Sequence, residues 1–554
     1  MPAPDVWNLS RTFEKIAENF PAQDVVSFRG KTLQYADLRS RMWRLANYLR
    51  SRGLGQIRKE RKDLQPWESG QDHLGLYLYN GNDYLEGMLG SYRSRVAPFN
   101  VNYRYVGSEL EYLLHDSKAR ALIYHARLAP MVEEIRKKVP GLEVLLQVAD
   151  ESGAPLLDGA EDYEKALASA ADSPPECEPS ADDLYILYTG GTTGMPKGVL
   201  WRQEDIFFAA MGGTLQTGDA LTSMDQLVRV ARMMGPMMRA LPLPPFMHGA
   251  AHWYAFMVFH TGGTLFLPDH TDRVDADEVW RLVEKAKVTS MLIVGDAFAV
   301  PLIDQLKKKS YGLKSLKALG SGGAILSPNY KDELEKLLPG ILLRDAVGSS
   351  ESGAQGVVLG GKDAHAKSRF VLGRGSTVLA ADFSRVLEPG NSEQGWLARK
   401  GHIPLGYLND EAKTRKTFPT VEGVRYSVPG DHAIFEADKS ITLLGRGSVC
   451  INTGGEKLYP EEVEKILKSH PDVYDAVVVG IAHPKWGQQV SAVLVAREGR
   501  RASAESLSAH CAPHLAGYKV PKHVVWVDEM VRSPSGKADY RWAAKKAEAA
   551  LAGQ

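Results

Sequence analysis

At 554 residues the chain is too long for one ordinary hydrophobic core, so several domains are expected. Its 44% hydrophobic and 24% charged residues form an average globular mixture. Lys plus Arg equals Asp plus Glu, at 67 each, so no excess charge points to a nucleic-acid partner.

The N-terminal stretch MPAPDVWNLSRTFEKIAENF lacks the basic-then-apolar layout of a signal peptide. No apolar run reaches the 18 or so residues of a membrane span, so no transmembrane segment is expected and the cytoplasm is the expected location. Tyr35, Leu38, Met42, Leu45 and Leu49 recur every three or four residues and predict a helix with one apolar face, capped by Thr32. The basic run Arg58–Lys62 reads as a solvated loop. Residues 74–79 predict a strand, followed by a helix running toward Arg93. Further strands are expected at 121–124, 184–188, 290–294 and 316–319. This alternation predicts an α/β protein with mainly parallel sheets. Composition shifts toward small residues near Gly445, which places a domain boundary at Gly445–Ser448. Residues 1–446 are expected to form a large N-terminal domain. Residues 447–554 are expected to form a small α+β domain, with a helix at 460–470 and strands at 475–482, 490–496 and 524–528. Cys177, Cys450 and Cys511 are odd in number and widely spaced, which suggests neither a zinc site nor a disulfide framework.

The most informative segment is YTGGTTGMPKG, Tyr188–Gly198. It leaves a strand, and its glycines let several backbone N–H groups turn toward one anion. Thr189, Thr192 and Thr193 add hydroxyl donors and Lys197 adds a charge suited to polyphosphate. An ordinary glycine-rich turn would need neither the hydroxyls nor the lysine. The Walker pattern does not apply, because Lys197 is preceded by Pro196 and followed by Gly198.

This segment resembles the signature of the adenylate-forming enzymes: acyl-CoA synthetases, firefly luciferase and peptide-synthetase adenylation domains. Gly190 stands where the signature usually has a hydroxyl residue. The resemblance continues in the family's order over most of the chain. LPLPPFMHG (241–249) looks like the segment beside the acyl site, GSGGAIL (320–326) like the strand-turn on adenine, and DAVGSSESG (345–353) like the Tyr-Gly-x-Thr-Glu motif. VPGD ends at Asp431, LGRG holds Arg446, NTGGEKLYPEEVE spans 452–464, and PSGKADYR carries Lys537.

The resemblance implies a large layered α/β N-terminal domain, a small mobile C-terminal domain, and ATP, Mg²⁺ and coenzyme A as reactants and cofactor. It assigns ATP or AMP to Thr189, Gly190, Gly191, Thr192, Thr193, Gly194, Gly322, Gly323, Ala324, Asp345, Val347, Gly348, Ser349, Ser350, Asp431 and Arg446. Asp431 would hold the ribose hydroxyls, and Val347 replaces the usual adenine-stacking aromatic. Glu351 would hold the metal, while Lys537, Glu351 and Lys197 would carry catalysis. Met247, His248 and Gly322 would face the acyl group, with a satisfied core histidine as the other reading of His248. Gly454, Gly455 and Lys457 would line the path of coenzyme A, and Ser448 falls at the hinge. Two anions, a carboxylate and ATP, must meet, so donors and cations must cluster where charge develops.

Met233, Met234, Met237, Met238, Met247 and Met257, with Phe246, Trp253, Phe256 and Phe259, suggest either a wall for a bulky apolar acid or a repacked core. The motifs look most like bacterial synthetases for steroid side-chain or long fatty acids. The expected partners are therefore a carboxylic acid, ATP and coenzyme A; a homo-oligomer is compatible with the sequence. The competing readings are an enzyme that loads a separate carrier protein, a luciferase-like oxygenase, and an inactive nucleotide-binding protein.

Overall fold

The computed structural model describes residues 5–105, 107–189, 195–215, 218–324, 326–359, 369–446, 449–453, 456–483, 487–533 and 536–552. Among these residues the strands assemble into sheets of 15, eight and five strands. In the largest sheet, Thr264–Phe266, Arg239–Pro242, Ser290–Ile293, Ala318–Gly322 and Leu342–Ser349 run parallel. After Ser349 the chain reverses. Gly353–Leu359, Arg369–Leu372, Ser440–Arg446 and Asp431–Phe435 then continue the sheet antiparallel. The eight-stranded sheet holds Leu184–Thr189 between parallel Ala97–Asn100 and antiparallel Lys197–Arg202.

The helix predicted from apolar spacing spans Tyr35–Ser51, and all five residues of its predicted face are fully buried. Its cap is not Thr32. Thr32 belongs to the strand Lys31–Gln34, where it lies opposite Ser27, and the helix begins only after Gln34. The Gln34 N–H donates to Asp37 at 2.8 Å, which satisfies one donor at the helix entrance. The strand expected from Leu316 starts at Ala318, because Leu316 closes a turn onto the Leu313 carbonyl. The main core joins both large sheets: Val26 and Leu265 from one and Leu74 and Tyr185 from the other meet side chains of the helices Leu9–Asn19, Asn82–Arg93 and Gly249–His260. Gly249–His260 is apolar around its circumference, as expected for a helix covered on all sides.

Sheet membership changes between Arg446 and Ile451. Ser440–Arg446 pairs within the largest sheet, whereas Ile451–Thr453 joins Glu456–Leu458, Gly487–Ala496, Val473–His483 and His523–Val527 in the five-stranded sheet. Pro460–Leu467, Ala504–Cys511 and Tyr540–Ala552 are the helices of this smaller unit. All three cysteines are free thiols. Among the described residues no helix is long and apolar enough to cross a membrane.

Candidate active site

In an open parallel sheet, ligands gather beyond the carboxyl ends of the strands. Here those ends carry Gly322, Gly323 and the hairpin that follows Gly348. Gly323 has φ +86°, a left-handed conformation that favours glycine at the turn out of the strand. At Gly348 a Cβ would lie 2.3 Å from the Gly353 carbonyl oxygen, so the hairpin closes only over a glycine. Glu351 sits at the tip of this hairpin, half-buried. Its Oε1 accepts from the Tyr407 hydroxyl at 2.8 Å, and the Ser427 hydroxyl donates to its carbonyl. Trp201 Nε1 donates to the Ser350 carbonyl at 2.9 Å, tying the turn to the eight-stranded sheet. Ser349 and Ser352 face each other, their hydroxyls 3.0 Å apart. Arg399, deeply buried, donates to the Ser352 carbonyl at 3.1 Å and the Ala354 carbonyl at 2.5 Å, and burial pulls its pKa down to about 10.

The expected phosphate loop connects two antiparallel strands, with Thr189 paired to Lys197. Gly190, Gly191, Thr192, Thr193 and Gly194 lie outside the described residues, as do Ser448, Gly454 and Gly455. Asn100 fixes the root of the loop. Its side-chain amide accepts from the Tyr188 N–H at 2.7 Å, and donates to the carbonyls of Tyr188 at 2.8 Å and Met247 at 2.7 Å. One buried amide thereby joins the strand Leu184–Thr189 to the segment 241–249. Lys197 forms an ion pair with Asp410, the cap of the helix Glu411–Thr417. Burial pushes the Asp410 pKa up, but Lys197 and the Lys413 N–H outweigh it and hold the carboxyl below its ordinary range.

The C-terminal unit delivers Lys537 to the same place. The Lys537 Cε lies 3.9 Å from the point where a Cβ on Gly323 would sit. A Cβ on the preceding Gly536 would lie 3.4 Å from the Val294 carbonyl and 3.2 Å from Ala297 Cβ. His248, at the entrance of the helix Gly249–His260, has a buried Nε2 without a hydrogen-bond partner. Burial, reinforced by the nearby cations Lys537 and Arg104, lowers its pKa to about 3, so its imidazole is neutral at pH 7. Asp431, buried, stands opposite Arg446 at the end of an antiparallel pair of strands.

Other expected residues have different surroundings. Asp345 is buried in an ion pair with Lys331 at 2.6 Å, on the strand that pairs it with Ser321. Val347 packs beside the cluster of Val358, Phe370 and Ile441. Met247 is buried with Phe99, Val101 and Tyr188 in the core of the eight-stranded sheet. Ala324 packs at the margin of the core around Val294 and Leu326, and the Lys457 backbone pairs with Asn452. The six methionines do not make one wall. Met233 and Met237, on the helix Met224–Met234 and the turn after it, are 68% and 61% exposed, while Met247 lies in a separate segment within the core of the eight-stranded sheet. Asn100, Arg399, Tyr407 and Asp410 carried no motif signal. Only the lone polar residue ending the apolar run 96–99 could have drawn attention to Asn100.

The smaller of two linked units thus presents Lys537 at Gly323, beyond the end of the strand Ala318–Gly322. The model of the AMP-binding enzyme matches residues 13–373, and that of the AMP-binding enzyme C-terminal domain matches residues 462–537. The chain belongs to the AMP-binding enzyme family. It is 50% identical to the medium-chain acyl-CoA ligase Mig of Mycobacterium avium, over 96% of each chain. It is 41% identical to a medium/long-chain-fatty-acid–CoA/3-oxocholest-4-en-26-oate–CoA ligase of Mycobacterium marinum, over 98% of this chain and 97% of that one. The fold matches the anthranilate CoA ligase AuaEII in complex with anthranoyl-AMP, with a TM-score of 0.83, 21% identity and 99% of each chain covered. It also matches ATP-bound MatB from Rhodopseudomonas palustris, with a TM-score of 0.79, 22% identity, and 98% and 99% covered.

Proposed function

We propose that this chain, an AMP-forming acyl-CoA ligase using ATP, Mg²⁺ and coenzyme A, activates a large hydrophobic monocarboxylate: a medium- or long-chain fatty acid or a steroid side-chain acid. The observation that carries the mechanism is the seat of Lys537 against Gly323 and beside neutral His248. A carboxylate oxygen of the acid attacks the α-phosphorus of ATP, and the bond from that phosphorus to the bridging oxygen of pyrophosphate breaks. Lys537 orients the two anions and offsets the charge that grows between them. Thr189, Lys197 and the loop 190–194 take the β- and γ-phosphates, with Lys197 exchanging Asp410 for phosphate oxygen. Gly322, Gly323, Ala324 and Val347 border adenine, and Asp431 with Arg446 takes the ribose. Asp345, paired to Lys331, supports this wall from behind.

A single half-buried carboxylate suits Mg²⁺, which is commonly held by one or two carboxylates together with substrate phosphates and water. Glu351 has that placement, and Tyr407 fixes its orientation. Bound there, the ion would neutralise phosphate charge. In the second step the thiol sulfur of coenzyme A attacks the acyl carbon, AMP departs with the bonding pair, and the thiol proton is released. The C-terminal unit, turning at 447–448, withdraws Lys537 and brings in 454–457, where glycines leave room for the pantetheine arm. The use of ATP and coenzyme A supports a cytoplasmic location as part of this proposal.

The relatives named for medium- and long-chain and steroid acids support the substrate class. Mass spectrometry of ATP- and coenzyme A-dependent products from a pooled acid panel tests it. Thioesters of octanoate, palmitate or 3-oxocholest-4-en-26-oate with AMP release are expected. Activity confined to acetate or benzoate refutes the class, and adenylate without thioester would favour loading of a carrier protein.

A further inference from the structure

A buried ionic network joins the smaller unit to the larger one, apart from the groups assigned to the chemistry. Asp296 lies at the start of the helix Gly295–Lys308 in the larger unit and is almost fully buried. Its Oδ1 accepts from the Ser327 N–H at 2.7 Å, and its Oδ2 accepts from the Ser327 hydroxyl at 2.6 Å. Lys468, which ends the helix Pro460–Leu467 of the smaller unit, brings its Nζ to 3.2 Å from the same Oδ2. That ammonium also lies 3.6 Å from Asp475 Oδ1. Asp475 is gripped in turn by the fork of Arg532, at 2.6 and 2.9 Å. Arg532 Nη1 then donates to the carbonyl of Gly536 at 2.9 Å, and Gly536 precedes Lys537.

The path therefore runs without a gap from the larger unit, through Lys468, Asp475 and Arg532, to the backbone beside Lys537. Lys468, Asp475 and Arg532 all belong to the smaller unit and travel with it. The Asp296–Lys468 contact exists only while the two units are docked in this arrangement. Burial disfavours the Lys468 ammonium, but Asp296 and Asp475 more than offset this and keep it charged. A buried charge that loses one of its partners is costly, whereas the same charge exposed to water is not. Removing Asp296 would therefore leave the Lys468 ammonium short of a partner only while the units are docked, so its loss penalises that arrangement and not an open one. Arg497 adds a lesser contact across the same boundary, donating to the Tyr330 hydroxyl at 2.9 Å.

We propose that Asp296 and Lys468 form a latch: a pair of positioning residues that selects the docked arrangement in which Lys537 faces the strand ends, and so favours acyl-adenylate formation. The inference rests on the ligase reading above, because that reading makes Lys537 a participant in the first step. Neither residue touches a reacting atom, so the latch acts on the population of the docked state.

The test uses the full chain and the acid turned over fastest in the panel. Two half-reactions are measured separately: pyrophosphate release in single turnover without coenzyme A, and thioester formation from the preformed acyl-adenylate. Asp296→Asn and Lys468→Met should each slow the first step about 10- to 100-fold while leaving the second within about twofold. The double variant should be no slower than the worse single variant, and Lys468→Arg should recover part of the loss. Asp296→Asn alters only the larger unit, so it keeps the test decisive where Lys468→Met fails to fold by circular dichroism. Equal loss in both steps, an unaffected Asp296→Asn, or additive losses would overturn the latch while leaving the ligase reading intact. A wild-type chain that performs neither half-reaction would overturn that reading and the latch with it.

Discussion

Replacing Asn100 should loosen the root of the phosphate loop, although the residue touches no expected substrate position. Its amide ties the end of the strand Ala97–Asn100 to Tyr188, accepting from the Tyr188 N–H and donating to the Tyr188 carbonyl. Three buried hydrogen bonds are lost in Asn100→Ala, each contributing about 1 kcal/mol net, so the loss is on the order of 3 kcal/mol. Asn100→Asp is the sharper perturbation. It keeps an acceptor for the Tyr188 N–H but loses both donors, and directs a carboxylate at two carbonyl oxygens that now lie 2.7 and 2.8 Å from the amide nitrogen. The assay is ATP–pyrophosphate exchange over a range of ATP concentrations, read together with urea denaturation. We expect the KM for ATP to rise and the denaturation midpoint to fall in both variants, with Asn100→Asp the more damaged. If Asn100→Asp matched the wild-type chain in both measurements, or if stability fell with no change in the KM for ATP, the reasoning that this amide positions the loop would be refuted.

Lys537→Ala should slow acyl-adenylate formation by about 10²- to 10³-fold, in keeping with removal of a group aimed at developing charge. Thioester formation from preformed adenylate should be largely spared, and equal loss in both half-reactions would contradict its assignment. Glu351→Gln keeps the Tyr407 hydrogen bond but removes the charge, so the Mg²⁺ concentration needed for half-maximal exchange should rise; an unchanged Mg²⁺ dependence would contradict metal binding there. His252 and His260 are fully buried, and burial lowers their pKa values to about 3 and about 4. A depressed folded-state pKa means that the unfolded chain binds more protons below the ordinary value of 6.5, so stability is complete above that pH and is lost as pH falls toward the folded pKa. Each should cost about 2 kcal/mol between pH 6.5 and about pH 5. Unfolding followed across this window should show His252→Gln with a shallower acid dependence than the wild-type chain; an identical slope would contradict the neutral assignment.

Much of the local structure was written in short-range pattern. Apolar residues at helical spacing specified Tyr35–Ser51, because one face of a helix must find cover, and the apolar run before the glycines specified Leu184–Thr189. The resemblance of the ordered motifs singled out Gly322, Gly323, Glu351, Asp431 and Lys537, and the fold places Lys537 against Gly323. What the sequence could not supply was the partner of each charge. Lys197 meets Asp410, and Lys468 meets Asp296, across separations of 213 and 172 residues. No periodicity encodes such a pairing, because it depends on how separate sheets and units are set against one another. The same geometry put Thr32 in a strand rather than at a cap, left Met233 and Met237 exposed while burying Met247, and engaged Asp345 with Lys331. Side-chain type and spacing determined the chemistry this chain carries. Only the packing of two sheets and a docked smaller unit decided which of those side chains share a site, because burial, which makes a lone charge costly and a matched one tolerable, is a property of the assembled fold.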